Sequence, residues 1–82
     1  MTRLPRDLSA RDLVLALGRL GYEVTRQTGS HLRLTTARGG EHHLTIPNHK
    51  PLKVGTLSAI LNDVAGYLET DKQDLVSELF GQ

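Results

Sequence analysis

The chain has 82 residues and a formal net charge of +1, with ten lysines and arginines against nine aspartates and glutamates. It contains no cysteine, which excludes disulfides and thiolate metal sites as supports for the thin core of so short a chain. No apolar run approaches the ~20 residues that a membrane-spanning helix needs. The charged beginning of the sequence has no apolar signal-peptide segment, so we expect one cytoplasmic domain over residues 1–82, with its core at about 9–66.

The charges are distributed unevenly, although their sum is far from the strongly basic balance typical of nucleic-acid-binding proteins. Bases predominate from residue 26 to residue 53, with Arg26, Arg33, Arg38, Lys50 and Lys53 against Glu41. Acids predominate from residue 63 onwards, with Asp63, Glu69, Asp71, Asp74 and Glu78 against Lys72. A basic middle allows a local phosphate-binding face on a nearly neutral protein. Ordinary surface charge explains the same pattern equally well.

The first predicted element is an amphipathic helix from about Ala10 to Leu20. Ser9 precedes it as the N-cap, and Asp12 lies in the first turn, where a carboxylate favours the positive end of the helix. Apolar residues then recur at helical spacing, at Leu13, Val14, Leu17 and Leu20. Gly21 follows as a left-handed C-terminal cap.

Three strands are predicted next, because apolar and polar residues alternate with a period of two. They are YEVTRQT, HLRLTT and HHLTIP, with a hairpin turn at Ala37–Gly40 between the second and the third. The alternation assigns these residues to the face that helices must cover: Tyr22, Val24, Leu32, Leu34, Leu44 and Ile46. His31 and Arg33 therefore lie on the opposite face, which we call the open face.

A second helix follows a polar connection, with Gly55 or Thr56 as its predicted N-cap and Gly66 at its end. Its apolar stripe consists of Leu57, Ile60, Leu61 and Val64. Thr70 and Gln73 have the spacing of a capping box before a short third helix at about 70–80, whose apolar residues are Leu75, Val76, Leu79 and Phe80. The predicted fold is α+β in the order α-β-β-β-α plus a C-terminal helix, with both main helices on one face of a three-stranded antiparallel sheet.

His31 is the candidate catalytic residue. An imidazole with an ordinary pKa of about 6.5 can exchange a proton at neutral pH. Cleavage of RNA suits such a minimal site, because the substrate supplies its own nucleophile, the 2′-hydroxyl, and the protein adds a proton acceptor and cations. We expect the neighbouring Ser30 side chain to point away from His31. The alternative is a surface histidine without a role.

Four histidines, His31, His42, His43 and His49, raise the question of a zinc site. The adjacent His42 and His43 project to opposite faces of a strand and cannot bind one ion together. The sequence also offers no cysteine and no pair of histidines at helical metal-binding spacing. We therefore expect neither a metal nor another cofactor. No helix follows Gly39-Gly40, so a hairpin explains these glycines better than a phosphate-binding loop does.

A series of motifs spans most of the chain from Leu13 to about Gly66. In order, they are Gly21-Tyr22, Arg26, Gly29-Ser30-His31, Pro47 with His49, Leu52, and Gly55-Thr56-Leu57 with Ile60 and Leu61. In this order and spacing they resemble the HicA-type toxins of bacterial toxin–antitoxin systems, small ribonucleases with a double-stranded-RNA-binding-domain-like fold. Leu32 departs from the family pattern, in which an aromatic residue or a second histidine often follows the motif histidine.

The resemblance implies that His31 is the catalytic residue of a toxin that cleaves mRNA, and that a HicB-type antitoxin neutralises the toxin in a hetero-oligomer. The candidate RNA-binding residues are Arg26, Ser30, Arg33, His49, Lys50 and Lys53. Helix capping explains Gly55-Thr56-Leu57 as well as phosphate binding does, and His49 has an alternative role in holding its loop. The competing hypotheses are a non-catalytic double-stranded-RNA-binding module, which normally has a denser basic cluster, and a pure interaction protein.

Overall fold

The computed structural model describes residues 7–36 and 41–80. Its elements are α1 (Ala10–Gly18), β1 (Glu23–Thr28), β2 (His31–Thr36), β3 (His42–Pro47), α2 (Val54–Leu68) and α3 (Lys72–Phe80). The three strands form one sheet in the order β1-β2-β3, and both pairings are antiparallel. The predicted α+β fold is thereby confirmed. The hairpin predicted at Ala37–Gly40 lies outside the described residues.

A capping box starts α1, as predicted. The Ser9 hydroxyl accepts a hydrogen bond from the Asp12 backbone N–H at 3.0 Å, and the Asp12 carboxylate accepts one from the Ser9 backbone N–H at 3.2 Å. The bond from the Ser9 backbone is the largest cause that lowers the pKa of Asp12. The helix ends at Gly18, two residues before the predicted Leu20, and Gly21 adopts the expected left-handed conformation with a φ of 90°.

The core lies between one face of the sheet and the helices. Leu32, Leu34, Leu44 and Ile46 are buried on that face, as the strand alternation predicts. The helical residues that pack with them include Leu13, Leu17, Leu57, Ile60, Leu61 and Val64. The opposite face of the sheet has no helical cover in the described part of the chain, and the predicted open face is confirmed.

β1 departs from the predicted alternation. Val24 pairs with Leu34, but the next pair joins Arg26 to Arg33, so that Thr25 is an extra residue in a β-bulge. The prediction that Val24 belongs to the core is wrong, since the residue is 42% exposed. The physical reason is that β1 is an edge strand and that a groove separates it from α1, so that no helix closes over Val24.

The predicted start of α2 is also wrong. Its N-cap is Lys53, which makes no side-chain capping hydrogen bond, and both Gly55 and Thr56 lie inside the first turn. The Lys53 carbonyl accepts the backbone N–H of Leu57 at 2.9 Å, which fixes the start of the helix at Val54. Burial of Leu57 requires this helical turn, so packing replaces the missing side-chain cap.

α2 also continues past the predicted end at Gly66. It runs to Leu68, which packs against the core, and Glu69 ends it in the left-handed conformation with a φ of 55°. A glycine within a helix costs about 1 kcal/mol relative to alanine. Leu68, which follows Gly66, packs against the core, and this apolar contact offsets the cost. The contact depends on tertiary packing, so the position of a glycine in the sequence does not reveal it.

α3 packs on the rest of the core. Leu75, Val76 and Leu79 are buried as predicted. The capping box predicted for Thr70 is wrong, because the Asp71 carboxylate accepts the Gln73 backbone N–H at 2.8 Å instead. The Lys72 ammonium donates to the Ser58 hydroxyl and joins α3 to α2. No helix in the described segments is both long enough and apolar enough to cross a membrane.

Candidate active site

The open face presents His31 and two arginines in neighbouring rows. These rows cross the sheet as Thr28–His31–Pro47 and Arg26–Arg33–Thr45. His31 and Arg33 are two residues apart on β2, which corresponds to about 6.6 Å along a strand. Both side chains are exposed. The proton acceptor and the cations that the sequence predicts for one site therefore lie side by side.

Arg26 reaches this face because of the bulge at Thr25. Regular alternation from Val24 would turn residue 26 toward the helices, since every second residue of a strand faces the same side. The extra residue reverses this order, and Arg26 lies opposite Arg33. Two like charges directly opposite each other destabilise a strand pair. An anion between the two guanidinium groups removes this repulsion, so the pair is a candidate phosphate site.

The turn between β1 and β2 sets the position of the His31 ring. The Ser30 hydroxyl lies 3.3 Å from His31 Nδ1. The expectation that these side chains diverge is wrong, because Ser30 belongs to a turn in which Gly29 has a left-handed φ of 48°, rather than to a strand. Within residues 7–36 and 41–80, Nε2 of His31 has no hydrogen-bond partner. This nitrogen is available to a substrate.

The segment after β3 lies beside the same turn. The Asn48 backbone N–H donates to the Ser30 carbonyl at 2.6 Å, and the His49 backbone N–H donates to the Pro47 carbonyl at 2.8 Å. The His49 carbonyl in turn accepts the Ala10 backbone N–H at 3.0 Å, which ties this segment to the start of α1. These hydrogen bonds place His49 near the His31 end of the sheet, where the residue is exposed.

The two candidate lysines lie elsewhere. Lys50 acts electrostatically on Asp12 at the start of α1, and Lys53 is the N-cap of α2. Both are exposed. The structure therefore gathers Arg26, Ser30, His31 and Arg33 on the β1–β2 hairpin and places His49 beside it, while the lysines extend the basic surface toward the helices.

All of these residues fall within a region that matches a known family. The family is described as the HicA toxin of bacterial toxin–antitoxin, and it matches residues 10–65, more than half of the chain. The chain belongs to the HicA toxin family. It is therefore a toxin of a toxin–antitoxin system, and the family implies an antitoxin partner. Comparisons with curated proteins and with solved structures found no similar protein.

The HicA chain contains a second histidine site that the sequence analysis missed. The Tyr22 hydroxyl lies 2.8 Å from His42 Nδ1, and His42 Nε2 lies 3.4 Å from Asp63 Oδ1. The Tyr67 ring stacks on the imidazole at a centroid distance of 4.2 Å. Burial raises the pKa of Tyr22 to about 12. One signal in the sequence could have identified this site. His42 and Leu44 are two residues apart on a strand, so their side chains share the face that the helices cover.

His43 is engaged in a chain of hydrogen bonds at the far end of the open face. Its Nδ1 lies 2.9 Å from the Thr35 hydroxyl, and its Nε2 lies 3.3 Å from Glu41 Oε1. The Thr35 hydroxyl also contacts that of Thr25 at 2.9 Å. His42 and His43 do project to opposite faces. The described segments contain no group of three histidine, cysteine or acidic residues that could hold a metal ion.

Proposed function

We propose that this HicA toxin is a ribonuclease that cleaves mRNA, with neutral His31 as the general base. Its Nε2 removes the proton from a 2′-hydroxyl as that oxygen attacks the adjacent phosphorus. The bond from phosphorus to the 5′-oxygen breaks, and that oxygen takes up a proton. The products are a 2′,3′-cyclic phosphate and a 5′-hydroxyl. The observation that carries the proposal is an exposed imidazole with a free nitrogen, one row from two opposed arginines.

The neighbouring residues have separate roles in this proposal. Arg26 and Arg33 bind the scissile phosphate and stabilise the negative charge that develops on its oxygens. Ser30 orients the imidazole through Nδ1, which directs Nε2 toward the substrate. His49, Lys50 and Lys53 bind flanking parts of the RNA. Because the substrate contains its own nucleophile, the reaction requires no metal to activate a water molecule.

We propose further that the antitoxin is of the HicB type and that it inhibits the toxin by covering the open face around His31. Acidic or hydrogen-bonding groups of the antitoxin would approach Arg26 and Arg33, and this charge complementarity would also accelerate association. A structure of the complex tests this directly. A complex that buries only α3 and leaves His31 accessible would show that inhibition works by another route.

The deciding experiment compares RNA cleavage by the wild-type protein and by His31→Ala. General-base catalysis contributes about 10²–10⁴-fold, or about 3–5.5 kcal/mol of the barrier, and we expect a loss of that size. Because His31 is exposed, the free energy of unfolding should change by no more than about 0.5 kcal/mol. Overproduction of the parent protein should arrest growth, whereas overproduction of His31→Ala should not.

His43→Ala is the matched control. His43 lies exposed on the same face, but Thr35 and Glu41 occupy both of its nitrogens, so its removal should leave cleavage intact. Equal cleavage by wild type and His31→Ala would contradict the proposed mechanism. If both proteins then still bound RNA, the non-catalytic RNA-binding module would be the better explanation.

A further inference from the structure

A groove lies between α1 and the β1 edge of the sheet, on the side away from the open face. Its volume is about 450 Å³. Its walls are apolar and consist of Val14, Leu15, Val24 and Leu32, whereas Arg11, Gln27 and Asn48 contribute polar groups. Leu15 and Val24 are 69% and 42% exposed. Burial of these side chains by a ligand is therefore favourable.

The bulge in β1 helps to build this groove. Val24 and Gln27 are an odd number of residues apart, so a regular strand would turn them to opposite faces. The extra residue at Thr25 turns both toward the groove, where both are lining residues. The same irregularity turns Arg26 to the open face. The edge strand thus contributes side chains to both surfaces at once.

The groove lies near the candidate active site, at the same end of the sheet but on its opposite face. Gln27 pairs with Leu32, which directly follows His31 on β2. The side chains of Gln27 and Leu32 therefore face the groove, while that of His31 faces the open face. On the other side, the Asn48 backbone N–H donates to the carbonyl of Ser30, the residue before His31. A nucleotide bound next to the scissile phosphate can therefore direct its base around the edge of β1 into the groove.

We propose that the groove binds one base of the RNA substrate and determines which bond is cut, an inference that rests on the proposed ribonuclease activity. The volume lies within the range of about 300–1,000 Å³ found for small-ligand pockets. The amides of Gln27 and Asn48 each offer donors and an acceptor, as do the edges of an unpaired base. The aliphatic walls contact the faces of the base, and the Arg11 guanidinium binds a neighbouring phosphate.

The main competing occupant is an apolar side chain of the antitoxin. Such a side chain needs only the apolar walls and makes no use of the three exposed polar side chains at the boundary. Their presence, together with the position of the groove at the same end of the sheet as His31, favours a nucleobase. Binding of the antitoxin in the groove is therefore the alternative result that the test must distinguish.

The test uses short single-stranded RNA oligonucleotides with each of the four bases at the positions flanking the cleaved bond. A parallel set has an abasic ribose at those positions. We expect wild type to cleave the preferred base about 5–150-fold faster than the abasic analogue, the range of a well-formed bidentate base contact. Gln27→Ala should lose most of this preference and match wild type on the abasic RNA. Gln73→Ala, an exposed glutamine on α3, is the control and should behave as wild type.

Two results would overturn the proposal while leaving the ribonuclease intact. One is equal cleavage of abasic and base-containing RNA by wild type. The other is a Leu15→Asp variant that keeps its base preference but no longer binds the antitoxin, since the groove would then be a protein-docking site. If wild type cleaves no RNA, the proposed function fails separately. Anisotropy measurements of His31→Ala with both RNA sets then decide whether the groove still prefers a base.

Discussion

The two ends of the sheet each contain a histidine, and the two histidines differ in almost every respect. His31 is exposed and contacts one hydroxyl at 3.3 Å, and its Nε2 has no partner among the described residues. The His42 side chain is 18% exposed and lies against two tyrosines and an aspartate. The His42 side chain thus joins β3, α2 and the segment before β1, whereas the His31 side chain contacts only Ser30 of its own turn among the described residues.

The two histidines differ in their ring nitrogens rather than in residue type, and this difference is what makes His31 the proposed catalytic residue and His42 a structural one. The Tyr22 hydroxyl lies within hydrogen-bond distance of His42 Nδ1, at 2.8 Å. On the other side of the ring, His42 Nε2 lies 3.4 Å from Asp63 Oδ1, so both ring nitrogens are engaged. Among the described residues, nothing occupies Nε2 of His31, whereas both ring nitrogens of His42 have a neighbour.

The comparison requires that one face of the sheet be covered and the other open, and Leu34→Asp tests this with the largest expected effect. Leu34 is completely buried, so the substitution places an unpaired charge in a thin core. We expect destabilisation of about 3–5 kcal/mol, measured by urea denaturation. Thr45→Asp, at an exposed position on the opposite face, is the control. Cooperative melting of Leu34→Asp near the wild-type temperature would mean that the faces are reversed.

His42→Ala should separate the two histidines most clearly. It removes the Tyr67 stacking contact and leaves the buried Tyr22 hydroxyl without its partner. An unsatisfied buried group costs about 1–3 kcal/mol and an aromatic contact about 0.5–1.5 kcal/mol, so we expect a loss of about 2–4 kcal/mol in unfolding free energy. Cleavage per folded molecule should not change. If His42→Ala had normal stability but reduced cleavage, His42 rather than His31 would be the residue that acts in cleavage.

Arg26→Gln sharpens the description of the His31 end. Loss of one phosphate contact should lower kcat/KM about tenfold, or about 1.4 kcal/mol, and flatten the slope of log K for RNA against log salt by about 0.7. The free energy of unfolding should remain constant or rise slightly, because the repulsion from Arg33 is relieved. Arg19→Gln, an exposed arginine at the end of α1, is the control. Equal salt slopes for both variants would exclude the arginine pair as the phosphate site.

The last test concerns pH at the His42 end, where the effect appears only in alkaline solution. The pKa of Tyr22 is raised from 10 to about 12 in the folded protein, chiefly by burial. Its contribution to stability is therefore fully present below pH 10 and is lost as the pH rises from 10 toward 12. Unfolding free energies measured across this interval should fall for wild type. The fall should be smaller for Tyr22→Phe, and equal slopes would contradict the assignment.

Strand alternation predicted the fold and the exposure of His31, because Leu32, Leu34, Leu44 and Ile46 leave only one way to bury a sheet face. It failed at Arg26 and Gln27, since no residue type marks a bulge at Thr25, and it did not predict the exposure of Val24, which depends on the groove beside the edge strand. It also missed the contact between Ser30 and His31, which depends on a turn geometry that a strand pattern does not contain.

The position of Gly66 within α2 shows a different limit. Local propensity predicts a helix end there, whereas the burial of Leu68 beyond it depends on tertiary packing. The His42 site required the joint placement of residues from three separate segments. Among the candidate site residues, the sequence offered no way to rank the cations, and only the register of β1 against β2 singles out Arg26 and Arg33.

The bulge at Thr25 also bears on how the protein behaves at high concentration. All six residues of β1 are exposed, and one edge of this strand is unpaired. The unpaired N–H and C=O groups of such an edge can pair with a strand of another copy. Natural proteins prevent this with bulges and with charged side chains along the edge. Glu23 and Arg26 lie on either side of the irregularity in β1. We therefore expect the sheet to resist growth by addition of strands at β1, and the toxin to remain dispersed when it accumulates without its antitoxin.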